Sequence, residues 1–132
     1  MRWACCWMVS TPANLSRWGY ELYSSKGNAI PISVRNKLLK SMKGNSVTFQ
    51  GTRQKYGYFA TEKMLTLPSS KTITTYGHPG GGGGYSTLLR YSPELDLSIA
   101  ILVNSPLKFQ GSCKKYDPRT CVAESIFSAY SK

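Results

Sequence analysis

Five consecutive glycines, Gly80 to Gly84, stand directly in front of two strand-like runs, and this arrangement restricts the fold more than any other feature. Tyr85 to Tyr91 alternates, with Tyr85, Thr87, Leu89 and Tyr91 on one face, and Leu97, Ile99, Ile101 and Val103 then repeat at the same spacing. A period of two is the mark of a half-buried strand. Between the runs, Ser92-Pro93-Glu94-Leu95-Asp96 carries turn chemistry, with Pro at an early turn position. A hairpin ending near Asn104 is therefore predicted. Upstream, Thr72 to Tyr76 is β-prone, and Lys55 to Thr61 reads as a strand rich in Tyr and Phe but interrupted by Gly57. The glycine run exceeds the needs of a tight turn and reads as a loose lip.

Helical signals lie at the two ends. Ser10-Thr11-Pro12 combines hydroxyl caps with a proline suited to the first helical position, and Leu15, Trp18 and Leu22 recur behind it on one face. Gly19 weakens that helix, and Ser24-Ser25-Lys26-Gly27-Asn28 ends it. A second helix is predicted from a Ser33 cap through Leu38, Leu39 and Met42, with Lys40 and Lys43 against its negative end and Gly44 beyond. Val122, Ile126, Phe127 and Tyr130 make Cys121 to Tyr130 a closing helix. The expected class is α+β: two helices, an antiparallel sheet of about three to five strands, and a last helix, with the helices on one sheet face.

At 132 residues the chain is read as a single domain, 1–132, with a modest core. Its longest apolar run is far short of a membrane span. Met1 to Val9 has one charge and an apolar patch too short for a signal peptide, and reads as buried chain ahead of the first helix. A net charge of +11 invites a nucleic-acid partner. The cations are scattered, however, from Arg35 and Lys37 to Lys114 and Lys115, without an arginine-rich arm, a zinc knuckle or an RNA-binding aromatic pair. They read as a solvated basic surface, and nucleic acid is not the expected partner.

Four cysteines allow three fully paired connectivities. Cys113 and Cys121 flank a polar loop that a disulfide could close, which would stabilise by roughly 2–3 kcal/mol and point to an oxidising compartment, hence secretion. Adjacent Cys5 and Cys6 read as small buried residues. No metal-ligand spacing joins the cysteines to His78, so no metal or other cofactor is expected.

Tyr76-Gly77-His78-Pro79-Gly80, with the glycines, the hairpin and the Leu102-Val103-Asn104 ending, resembles the third active-site element of the serine β-lactamase and penicillin-binding-protein-like family. His78-Pro79-Gly80 stands where members carry Lys-Thr-Gly or His-x-Gly. Met8 to Leu15 is similar to the Ser-Thr helix start that precedes the family's sheet half, and Cys121 to Tyr130 fits its terminal helix. The resemblance covers nearly all of this chain but only the C-terminal part of a full member. It implies a partial β-lactamase/transpeptidase-like fold and acyl-transfer chemistry on a β-lactam, a D-Ala peptide or an ester. By the same resemblance, His78 shapes the site's electrostatics, Gly80 and Gly81 bring the strand close to substrate, the Gly81 N–H is one oxyanion donor, and Asn104 meets a substrate carboxylate.

The departures matter equally. Ser-x-x-Lys occurs only at Ser105–Lys108 and Ser112–Lys115, after the last strand, and neither Tyr-x-Asn nor Ser-x-Asn occurs. Pro79 replaces the motif's small hydroxyl residue. A chain of this kind is expected to be inactive alone and to complete its site with a missing N-terminal half, the acyl substrate being a small molecule or peptide. The alternative is a non-catalytic basic binding or structural module derived from the same fold.

Overall fold

The computed structural model describes residues 8–49, 52–104, 113 and 117–131. The Ser-x-x-Lys text matches and Cys5 and Cys6 lie outside these residues, Cys113 apart. Three helices, α1 (Pro12–Tyr23), α2 (Ile32–Ser41) and α3 (Pro118–Tyr130), accompany β1 (Ser46–Phe49), β2 (Thr52–Gly57), β3 (Ala60–Thr66), β4 (Thr72–Gly82), β5 (Tyr85–Ser92) and β6 (Leu97–Val103). The strands form one antiparallel sheet in sequence order. The α+β class holds, with six strands among the described residues rather than three to five.

The extra strands come from the region of Lys55 to Thr61. Gly57 pairs with Ala60, so Tyr58 and Phe59 form a two-residue turn and the apparent single strand is the tip of a hairpin. Both turn residues have positive φ, 42° and 61°, the primed-turn geometry that glycine and asparagine usually supply. Gly57 has a packing reason: a Cβ there would lie 2.4 Å from the backbone of Ser41 at the end of α2. β1 has almost no periodicity of its own and exists by pairing with β2.

Helices cover both faces of the sheet rather than one. Alternation along each strand gives the reason. On β5, Leu88 packs with Leu65, Ile73, Ile99, Ala123 and Phe127 beneath α3, while Tyr91, three residues on, packs with Tyr23, Met42 and Ala60 beneath α1 and α2. Positions an odd number of residues apart point to opposite faces. The three-residue apolar spacings in the helices show that each has a buried stripe, but not which sheet face receives it.

α1 begins as expected, with Thr11 Oγ1 accepting from the Asn14 N–H and Pro12 at the first position. Its buried residues are Gly19 and Tyr23, whereas Trp18 is exposed. Gly19 is the contact point: a Cβ there would fall 2.6 Å from Ser98 Oγ and 2.7 Å from Leu89 Cδ1, so the glycine lets the helix approach β5 and β6 closely. α2 has Pro31 rather than Ser33 at its N-cap, with no side-chain cap bond. α3 starts earlier than its apolar pattern, at Pro118, because Asp117 caps it by accepting from the Arg119 N–H.

Asp96, in the β5–β6 turn, ties α1 to the sheet. Its carboxylate accepts from Tyr20, Ser24 and Tyr91 hydroxyls at 3.1, 3.0 and 3.0 Å and from Lys26 Nζ at 2.6 Å. These donors, Lys26 foremost, hold its pKa down to about 2. A depressed carboxyl pKa contributes stability that is complete above the unfolded value and is lost as pH falls through the folded one. The melting-temperature gap between the parent chain and Asp96→Asn should therefore be constant above about pH 5 and close between pH 4 and pH 2, as followed by circular dichroism.

Candidate active site

β4 is longer than β3, and that difference creates the site. β3 pairs with β4 from Thr66–Thr72 to Thr61–Gly77 and then turns away. β5 stays paired with β4 from Tyr76–Tyr91 through Gly82–Tyr85. From His78 to Gly82, therefore, β4 is bonded on its β5 side and has no β3 partner on the other. The glycines are not a loose lip: Gly80, Gly81 and Gly82 extend the strand, and Gly83 and Gly84 form the turn with φ of 58° and 86°.

That turn decides which peptide groups are free. In a two-residue hairpin of this type the closing pair, Gly82–Tyr85, exchanges both hydrogen bonds. Bonded and non-bonded pairs alternate, so Gly80–Thr87 is bonded and Gly81–Ser86 is not. The Gly81 N–H and C=O consequently face the open edge, which no strand among the described residues covers. So does the Pro79 carbonyl, beside a proline nitrogen that has no hydrogen to offer. Gly81 has space as well, since a Cβ there would meet only Tyr85 O, at 3.7 Å.

His78 occupies the same edge. Its Nδ1 donates to the Pro79 carbonyl at 2.5 Å, and its ring lies edge-on to Tyr56 with centroids 5.6 Å apart. A carbonyl only accepts, so the proton sits on Nδ1 and Nε2 presents a lone pair. Desolvation of the ring, with a smaller contribution from the Arg90 charge, keeps its pKa below the ordinary imidazole value, against the opposing bond to Pro79. The imidazole is neutral at pH 7, able to accept a proton at Nε2 or a hydrogen bond from a ligand.

Asn104 is not brought alongside these groups. It follows Val103, which pairs with Ser86, which in turn faces Gly81. It is exposed at the same end of the sheet but two strands away, roughly 10 Å at standard strand spacing.

Arg119 carries no signal in the sequence pattern, yet it braces the strand. Its side chain, 2% exposed, donates from Nη1 to the carbonyls of Gly80 and Thr87 at 2.8 Å each, and pairs through Nη2 with Asp117 Oδ2 at 2.8 Å. The Cys113–Cys121 disulfide, with Cα atoms 5.7 Å apart, spans the segment that contains Asp117 and Arg119. Arg90 lies buried beside Thr61 and Gln54, donating to Thr61 Oγ1 at 2.6 Å, and burial lowers its pKa to about 10. Thr61 Oγ1 in turn donates to Gly77 O at 2.8 Å. Gly77 itself permits no side chain: its φ is +152° and a Cβ would fall 1.9 Å from Leu89 O.

Among the described residues no group of three or more His, Cys, Asp or Glu could hold a metal ion, and no helix is long and apolar enough to cross a membrane. A family model described as Beta-lactamase matches residues 7–120, most of the chain. No curated protein and no solved structure matches it.

Two measurements check this geometry. Arg119→Met leaves Asp117 without its buried partner and should cost about 3–5 kcal/mol in urea denaturation, with faster amide exchange at Gly80 and Thr87. Long-range nitrogen–proton correlation spectra should show His78 protonated on Nδ1 at pH 7, titrating below the ordinary value of 6.5.

Proposed function

This chain belongs to the β-lactamase family, a serine-hydrolase-related group, and from that premise we propose that it supplies the substrate-facing strand of an acyl-transfer site. The observation that carries this reading is the open edge of β4, with the Gly81 N–H directed outwards beside a neutral His78. A carbonyl developing negative charge needs fixed donors that require no reorganisation as the reaction proceeds, and a strand N–H held by its neighbours is such a donor. His78 Nε2 would orient a proton-moving group or a polar substrate atom. Asn104, at the same end of the sheet, would meet the far end of a substrate, such as its carboxylate, rather than the reacting carbonyl.

The nucleophile would come from outside this stretch of chain. No Ser-x-x-Lys precedes the sheet, and no Tyr-x-Asn or Ser-x-Asn occurs. In this reading residues 1–132 are the C-terminal portion of a β-lactamase-related domain, and an N-terminal portion provides the serine, the lysine and the second oxyanion donor. The 132-residue chain would then bind an acyl substrate weakly and not turn it over. The Cys113–Cys121 disulfide supports an oxidising, secreted setting.

The test is a fluorescent penicillin with the purified chain. No covalent label should form, whereas benzylpenicillin should shift the amide resonances of Gly80 to Tyr85. Gly81→Pro removes one edge-facing N–H without touching the β5 ladder, and it should abolish those shifts while leaving the circular dichroism spectrum intact. A covalent adduct on this chain, or shifts indifferent to Gly81→Pro, would refute the assignment.

A further inference from the structure

Beside the open edge of β4, and separate from it, lies a cleft of about 750 Å³ between the end of α2 with β1 and the tip of the β2–β3 hairpin. We infer that this cleft is a binding site for a neutral, hydroxyl-bearing ring, a hexopyranose unit being the simplest example.

The lining argues first. It is lined by Ser41, Asn45, Ser46, Val47, Tyr56 and Tyr58, together with two glycines. None is charged, in a chain with 17 Lys and Arg and only 6 acids. A site lined this way offers no counter-ion to an anion or a cation and selects against both. What it does offer is aromatic surface beside small hydroxyls and an amide. Ser41 Oγ donates to Leu38 O and Asn45 Nδ2 to Ser41 O, so the serine keeps its lone pairs and Asn45 Oδ1 is left to accept from a ligand hydroxyl.

The hairpin tip argues independently. Tyr58 holds φ 42° and Phe59 φ 61° in a turn for which Gly or Asn is the unstrained choice. Neither is compensated by burial: they are 71% and 87% exposed. Two bulky aromatics at left-handed positions in open solvent lower stability without improving the core, a pattern that belongs to binding sites. Tyr58 forms part of the cleft lining, and the stacking face of a tyrosine suits the C–H face of a sugar ring. Tyr56 is shared, lining the cleft and lying edge-on against His78, so an occupied cleft would place its ligand next to the β4 edge.

The experiment needs no enzymatic activity, so it stands or falls apart from the acyl-transfer reading. The isotope-labelled 132-residue chain is titrated with methyl β-D-glucopyranoside and, separately, with benzoate. Saturable shifts are expected for the sugar at Asn45, Ser46, Gly57 and Tyr58, and none for benzoate at equal concentration. Tyr58→Gly relieves the turn, so its melting temperature should equal or exceed the parent's, while sugar affinity falls at least about tenfold. Absence of saturable sugar shifts, equal affinity in Tyr58→Gly, or tighter binding of benzoate at the same amides would each overturn the inference.

Discussion

The register set by the Gly83–Gly84 turn is the constraint on which the candidate site depends. A two-residue turn with both φ values positive fixes Gly82 opposite Tyr85. The alternation of hydrogen bonds then assigns every other peptide of β4 to an edge. One residue more in the turn would exchange the roles of Gly80 and Gly81. The glycines thus act through geometry: Gly83 and Gly84 take backbone angles that most residues avoid, Gly80 makes room for the Thr87 side chain, and Gly81 and Gly82 let the strand run on with space beside it.

Two further arrangements hold that strand in place from opposite sides. On the α3 face, Arg119 bridges the carbonyls of Gly80 and Thr87 and is neutralised by Asp117, so the helix start and the glycine strand are one unit. On the α1 face, Asp96 gathers donors from α1, from the segment after it and from β5, next to an aromatic group in which Tyr20 and Tyr23 pack on Tyr91. Both centres rest on charge-assisted hydrogen bonds, stronger and more directional than neutral ones. Between them, the β5–β6 hairpin is clamped by each of its ends.

Much of this was legible in the residues. The alternation of Tyr85 to Tyr91 and of Leu97 to Val103, with Pro93 between, led directly to β5 and β6. Thr11-Pro12 marked the start of α1, and Cys113 and Cys121 marked the disulfide. The misreadings have physical causes. Lys55 to Thr61 passed as one strand because its turn consists of Tyr58 and Phe59, residues that carry no turn signal. Gly19 reads locally as a weak point in a helix, whereas its value is the close approach to Ser98 and Leu89. Arg119 is one cation among 17 Lys and Arg, and nothing in its neighbours announces that it reaches a carbonyl 39 residues away.

By itself the sequence determined the local elements, since period, caps and turn residues act through backbone preferences over a few positions. It grouped His78, Gly80 and Gly81 in one short motif, but read the glycines as a loose lip and not as strand. The tertiary structure alone decided that β3 ends short of β4 and leaves an edge open, that helices cover both sheet faces, and that Asn104 stands two strands from His78. These are consequences of pairing and burial between segments distant in the chain. Such contacts depend on which surfaces meet once loops close, and no local preference of the residues encodes that choice.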